Sequence, residues 1–307
     1  MSRAREFADL ASSADAGGIT GKNLIINGSM ICSQRGTSGS YSANTSRGYV
    51  LDRWYGEGYP LNATIAQSTL AYDGITYECA SLSSITGTYY FYQPVEDGVK
   101  YNKGKNLVLS FVASGSGNIQ CQYNAGTVGT VNVGSAVTLT GTPTKYSVAF
   151  TLSGSATGDH LYIGFNGSGG SFNVSLVQLE VGEQATPFEH RSFGDELARC
   201  RRYCNVIAPN VAYAHYGFVG FCESSTKAKV LYTFPVEMRA TPSFTRSGSF
   251  VYDGASANPI FSSVDNIALT PTNCRIEDVV SSGTTGQGVI LINDNDASAT
   301  IKFDAEL

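Results

Sequence analysis

Over most of the chain, apolar and polar positions alternate with a period of two. Tyr146, Val148, Phe150 and Leu152 alternate with Ser147, Ala149 and Thr151, and Leu161, Ile163 and Phe165 continue the pattern. Such alternation predicts strands with one face buried and one wet. Gly115-Ser116-Gly117-Asn118 and the run Asn166 to Gly170 supply turn chemistry between them. The series Phe172, Val174, Leu176 changes phase to Val177, Leu179, Val181, which predicts a β-bulge inside one strand. Later, Val230 and Tyr232 alternate, Val289-Ile290-Leu291-Ile292 is a continuous apolar run, and Ala299, Ile301, Phe303 and Ala305 alternate again. Many short strands with Gly-rich turns predict an all-β chain of two β-sandwich, jelly-roll-like domains.

Two segments depart from this period. Over residues 2–14, Ala4, Phe7, Ala8 and Ala11 fall at helical spacing, with Ser2 as cap and Gly17-Gly18 as stop. A helix this short needs a surface to pack on, so Phe7 and Leu10 are expected to dock it. Near residue 192, Ser192 and Asp195 have capping-box spacing, acidic residues precede basic ones, and Phe193, Leu197, Cys200, Cys204 and Ile207 recur at steps of four and three. That stripe fits a short assembly seam between copies or a helix packed on its own domain. The expected organisation is therefore a docking helix and linker (1–21), a jelly-roll sandwich (22–191), a connecting helix (192–206) and a C-terminal sandwich (207–307).

Composition narrows the class. Of 307 residues, 42% are hydrophobic and only 15% charged, with 34 Gly and 18 Tyr. This balance suits a β-rich exposed protein, because long solvated helices need more Glu, Lys and Arg. A net charge of −5 argues against nucleic acid as the main partner. No apolar run approaches the length of a membrane span. The first residues lack the apolar core of a signal peptide, so the chain is expected to fold in the cytoplasm where it is made. The seven Cys include no C-x-x-C pair and are expected to be free, buried thiols.

Catalytic chemistry has little to stand on. His160, His190 and His215 lie outside known nucleophile or zinc contexts, and Glu57, Glu78, Glu96 and Asp97 show no spacing that singles out an acid–base pair. Asp294-Asn295-Asp296 reads as a turn before a calcium loop. No catalytic residue, metal or cofactor is expected. The aromatic clusters are more informative: Trp54-Tyr55 with Tyr59, Tyr89-Tyr90-Phe91-Tyr92, and Tyr213 with Tyr216. Aromatic faces suit sugar stacking and protein interfaces alike. Neighbours on a strand face opposite ways, so half of each cluster must enter the core, Trp54 among them. Tyr55, Tyr59, Tyr90, Tyr92, Tyr213 and Tyr216 are the candidate glycan or receptor contacts.

The segment Asn23-Leu24-Ile25-Ile26-Asn27-Gly28-Ser29-Met30, then Gln34-Arg35-Gly36 and Asp52-Arg53-Trp54, resembles the opening of a family of phage tail-fibre and virion proteins. Gln178-Leu179-Glu180-Val181-Gly182, Ala185-Thr186-Pro187-Phe188-Glu189 and Arg191 are similar to the end of that family's jelly-roll module. Phe234-Pro235-Val236-Glu237-Met238-Arg239-Ala240-Thr241-Pro242 resembles a motif of the β domain that follows. The resemblance implies a carbohydrate-binding-module-like sandwich, a homotrimer, contact with other tail or capsid proteins, a possible host surface glycan and a place in the virion, released by lysis. A tail-fibre or spike subunit leads; a decoration protein without a receptor role and a glycan depolymerase are the alternatives. The matching motifs bring no catalytic residue with them.

Overall fold

The computed structural model describes residues 22–41, 48–254 and 261–307, without the side chains of 41, 58–62 and 261–262. The expected docking helix, with Phe7 and Leu10, lies outside the described residues, as does the Tyr59 side chain. The chain divides into two compact units, Met1–Leu197 and Ala198–Leu307. Both are β-sandwiches, and none of the described helices is long and apolar enough to cross a membrane.

The first unit is organised by one long hairpin, β3 (Tyr55–Tyr72) and β4 (Ile75–Val95). These strands are far longer than the usual five or six residues because each runs through both sheets. The front sheet joins β2 (Gly48–Tyr49), the start of β3, the end of β4, β9 (Leu161–Ser168), β6 (Asn118–Asn124) and β7 (Thr130–Thr138). The back sheet joins β1 (Ser38–Tyr41), the end of β3, the start of β4, β10 (Ser171–Val181), β5 (Asn106–Ser116) and β8 (Thr144–Thr151). Register shifts on both sides of Asn62, which pairs with Thr86, and Ser84 at φ 55° mark the bend where the hairpin changes sheet. Trp54, Phe91, Phe165, Leu109 and Phe111 meet in the core between the sheets, and Phe111 and Phe165 pack edge to face at 4.7 Å. The bulge expected near Leu176 is present: the β10 register shifts between Ser175 and Gln178, and Leu176 has φ 51°.

The motif residues of this unit converge on one clasp. Asn27, fully buried at φ 56°, donates from Nδ2 to the carbonyls of Cys32 (2.8 Å) and Asp52 (2.9 Å) and accepts from Cys32 N (2.9 Å). Its carbonyl accepts from the Trp54 indole at 2.9 Å, and its N–H donates to Glu196. Gly28 sits so close to β10 that a Cβ would lie 2.1 Å from the Val177 carbonyl, so only glycine fits. Asn23 accepts from Ile25 N and Leu179 N, while Arg191 donates to the carbonyls of Ile25 (3.0 Å) and Asn23 (2.6 Å). Gln93 of β4 exchanges two bonds with the backbone of Ile26. Asp52 accepts from Gln34 Nε2 at 2.8 Å and pairs with Arg35 at 3.3 Å. The beginning and end of the sandwich are thus stitched together by buried side chains added to two backbone bonds, Leu24 N–H to the Leu179 carbonyl and Val177 N–H to the Gly28 carbonyl.

Helix α1 (Gly98–Asn102) is a single turn after β4. Helix α2 runs Phe193–Arg201; Ser192 Oγ accepts from Asp195 N (3.2 Å) and donates to its carboxylate (2.7 Å), the cap that the spacing predicts. The helix is shorter than the expected 192–206. Tyr203 turns the chain, and Cys204 begins a strand, β11 (Cys204–Ile207), that pairs with β19 (Thr300–Asp304). Heptad spacing continued past Arg201, but long-range pairing of a β-branched segment prevails. Cys200 and Cys204 are fully buried within their own chain, so they form no seam open to another copy; Phe193 is exposed and Leu197 half-buried.

The second unit packs a three-stranded sheet, β11-β19-β14 (β14, Ser243–Ser247), and a six-stranded sheet around one core. The six strands are ordered β15 (Phe250–Gly254), β18 (Gly288–Asn293), β12 (His215–Ser224), β13 (Lys227–Thr233), β17 (Asn273–Val280) and β16 (Phe261–Leu269). Arg239, from the third motif, donates to the carbonyls of Ala305 (2.9 Å) and Glu306 (3.1 Å) and so ties down the last strand. Inside, Arg246 makes a two-pronged ion pair with the fully buried Asp278, and Tyr252 donates to the same carboxylate.

All seven cysteines are free and buried. Burial raises Cys79 to about 11, and Cys121 and Cys274 to about 12. A thiol whose pKa is raised on folding stabilises the fold below its ordinary range, and that contribution is lost as pH rises through the folded value. Stability is therefore expected to fall from about pH 9 upward, by about 1.4 kcal/mol per thiol per pH unit. Urea unfolding at stepped pH checks this; a curve flat to pH 11 would contradict it. For the clasp, Asn27→Gly keeps the left-handed backbone but removes three buried hydrogen bonds, and a loss of about 3 kcal/mol is expected. The single Trp lies at the clasp, so Trp54 fluorescence in urea reads this unit.

Candidate functional site

The clasp ends at Trp54, and the next residue, Tyr55, opens β3 on the outer face of the front sheet. Alternation then sets what that face displays. Trp54, Tyr89, Phe91, Ile163, Phe165, Cys121 and Tyr123 point into the core, so their neighbours point out. Strand register assembles these neighbours into rows. One row runs Tyr55, Tyr92, Gly164, Gln122, Asn132, across β3, β4, β9, β6 and β7. The adjacent row runs Glu57, Tyr90, Asn166, Gln120. On the other side lie Tyr162, Asn124 and Thr130. Five strands span about 19 Å at their usual spacing.

The aromatic rings form a continuous ladder. Tyr49 and Tyr55 meet edge-on at 5.2 Å, Tyr55 and Tyr92 are tilted at 5.4 Å, and Tyr92 and Tyr162 are perpendicular at 5.9 Å. The Arg35 guanidinium stacks over Tyr49 at 5.0 Å while it pairs with Asp52. Beyond the rings the row continues at Gly164, where a Cβ would lie 2.3 Å from the Phe91 carbonyl. Glycine here lets β9 approach β4, since a Cβ would also lie 2.6 Å from the Tyr92 Cβ. The polar groups are held in place: Tyr92 donates to Glu57 (2.5 Å), Gln122 to Asn132 (2.7 Å) and Asn124 to Thr130 (3.1 Å). Flat rings beside oriented amides and one carboxylate match a ligand with apolar ring faces and hydroxyl edges.

The structure thus unites Tyr55, Tyr90 and Tyr92 on one surface. Tyr216 is different: it is 2% exposed and donates to the Ala299 carbonyl at 2.6 Å, so it is a core residue of the second unit, turned inward by alternation with His215 and Gly217. Tyr213 is exposed in a loop at φ 57°, in the other unit from the ladder. Tyr49, Tyr162, Asn166, Gln120, Gln122 and Asn132 did not stand out in the sequence. The alternation of Ile119, Cys121 and Tyr123 with Gln120, Gln122 and Asn124 held the signal for their facing, but not for which strands adjoin.

Other candidates fall elsewhere. His190 lies between Tyr77 (5.9 Å) and Phe188 (4.9 Å), and His215 is on β12. Asp296 accepts from Ser249 N, Ser298 N and Ser298 Oγ, the last holding it below the usual carboxylate range; this is a turn. No group of three or more His, Cys, Asp or Glu with metal-binding geometry occurs among the described residues.

Neither a family model nor a curated protein sequence matches the chain. Among solved structures it is similar to the enzymatically active domain of bacteriophage CBA120 tailspike protein 4, with 18% identity over 52% of this chain and a TM-score of 0.36. The match spans 22% of that tailspike chain. It is also similar to the CBM22-1 xylan-binding domain of Paenibacillus barcinonensis Xyn10C, with 14% identity, 48% of this chain, 94% of that one and a TM-score of 0.34. The tandem CBM22-1-CBM22-2 domain of the same protein covers 88% of this chain and 95% of its own, at 10% identity and a TM-score of 0.34.

If the ladder is a ligand surface, Tyr92→Phe is the mildest probe of its polar half. The ring ladder should persist while Glu57 loses the Tyr92 hydroxyl, so stability should change by about 1 kcal/mol or less. A ligand that uses both ring and carboxylate should bind measurably more weakly, as isothermal titration would read.

Proposed function

We propose that the chain is a glycan-binding, non-catalytic subunit of a phage particle, of the tail-fibre or spike kind, and that the Tyr55–Tyr92–Tyr162 face of its first sandwich is the sugar-binding surface. The observation that carries the sugar-binding half is the pair of rows in which tyrosine rings stand beside Glu57, Asn166, Gln122 and Asn132. Ring faces of a saccharide stack on aromatics, and its hydroxyls need fixed acceptors and donors beside them. Glu57 is the one carboxylate among the described residues of these rows, which favours holding a sugar over cleaving it, since cleavage by the usual route takes two. The virion half rests on the motifs that resemble phage tail-fibre proteins. On this reading residues 1–21 attach the chain to other tail or capsid proteins, and the β domains project.

Binding is tested by titrating the purified chain with soluble host surface polysaccharide. Tyr55→Ala and Tyr92→Ala should each weaken binding about tenfold or more, equivalent to about 1.4 kcal/mol, while Trp54 fluorescence stays native. Unchanged affinity in both variants would overturn this site, and release of reducing ends by the wild type would overturn the non-catalytic reading. The particle role is tested separately. Deleting residues 1–18 should abolish incorporation into particles and leave both sandwiches folded, and the free protein should compete with phage for host cells; a decoration protein would not compete.

A further inference from the structure

Beside the rings of the first unit, the polar side chains on the front sheet are mostly carboxamides, and they are not equivalent. Gln120 donates from Nε2 to the carbonyls of Cys121 and Val133, both at 2.9 Å, where the register of β6 on β7 shifts. Its donors are committed to closing that bulge. Asn124 donates to Thr130. Gln122 Nε2 donates to Asn132 Oδ1 at 2.7 Å, and Gln122 Oε1 has no partner among the described residues. Asn166 makes no side-chain hydrogen bond among them. A carboxamide accepts at its oxygen and donates twice at its nitrogen. The face therefore holds one braced acceptor, Gln122 Oε1, and one uncommitted donor, Asn166 Nδ2.

Register fixes how far apart these two stand. Gln122 pairs with Gly164 and Gln120 with Asn166, so Gln122 and Asn166 are diagonal neighbours across β6 and β9. Such neighbours lie about 7–8 Å apart, and side chains stand roughly perpendicular to the sheet. A single hydroxyl bridges at most about 5.6 Å between its two partners. A trans amide points its N–H and C=O in opposite directions, and with two ordinary hydrogen bonds it spans about 8 Å from acceptor to donor. A vicinal diol spans the gap as well but brings no methyl group. Tyr92 is in register with Gly164 and diagonal to Asn166, and Tyr90 is directly opposite Asn166, so rings flank the gap and supply apolar cover. On the reading that this face holds a saccharide, we infer that it selects sugars bearing an acetamido substituent. The acetamido N–H donates to Gln122 Oε1, its C=O accepts from Asn166 Nδ2, and its methyl group packs against the tyrosines. Gln122 is then the specificity-determining residue, and Asn132 holds it in place.

Isothermal titration of the full chain with soluble host surface polysaccharide provides the test, using the polymer in its native, N-deacetylated and re-N-acetylated forms. The native and re-acetylated forms should bind alike, and the deacetylated form about tenfold more weakly or worse. Gln122→Leu should bind the native polymer about tenfold more weakly and no longer distinguish the three forms, while Trp54 fluorescence stays native. Tyr92→Ala should weaken binding to all three. An affinity indifferent to deacetylation, equal binding to a polysaccharide without acetamido sugars, or a Gln122→Leu variant that still discriminates would overturn the acetamido assignment and leave the sugar-binding face standing. A wild type that binds none of the forms, or a Tyr92→Ala variant that binds them all as the wild type does, would overturn the face and the assignment together.

Discussion

The first sandwich depends on its closure. Its two sheets share a single hairpin, but residues 22–37 form no strand and touch β10 by only two backbone bonds, Leu24 N–H to the Leu179 carbonyl and Val177 N–H to the Gly28 carbonyl, both 2.9 Å. Asn23, Asn27, Gln93 and Arg191 add the rest from side chains, and the Asn27 N–H reaches Glu196, so the first dozen described residues are fastened to β4, β10 and the start of α2 without forming a strand. Buried amides are costly when unmatched and specific when matched. Here each satisfied group constrains the path of the chain into Trp54, and Trp54 in turn stacks on Phe91 at 4.9 Å beneath the outer face. The position of Tyr55 follows from that stack.

The second unit solves a similar problem with charge. Arg246, Asp278 and Tyr252 form a buried, hydrogen-bonded group, with Arg246 also lying over Phe250 at 5.2 Å. Such pairs do not always add net stability over an apolar filling, but removal of one member leaves a buried charge uncompensated. Burial and the adjacent Asp278 push the Tyr252 phenol far up, so it remains a donor across the whole physiological range.

Much of this was legible in the sequence and some was not. Alternation at Leu161, Ile163 and Phe165 gave the strand and its facing, and the phase change at Leu176 gave the bulge, because both are local. The end of the connecting helix was not legible: Cys204 and Ile207 continue a helical stripe, and only pairing with Thr300–Asp304, about a hundred residues away, makes them a strand. The site was half legible for the same reason. Tyr90 and Tyr92 were placed by parity against Tyr89 and Phe91, whereas Gln122 and Asn166 joined them through strand order, which no local pattern encodes.

The long hairpin has one more effect. Because β4 is continuous from the back sheet to the ladder, a slip of one residue anywhere along it would turn Tyr90 and Tyr92 inward and Tyr89 and Phe91 outward, and would at the same stroke expel Ala80 and Leu82 from the opposite sheet. The identity of the displayed face is thus not stored in the face. It is guarded by the whole interior, so surface side chains there are free to be exchanged for others while the lattice of positions they occupy stays fixed.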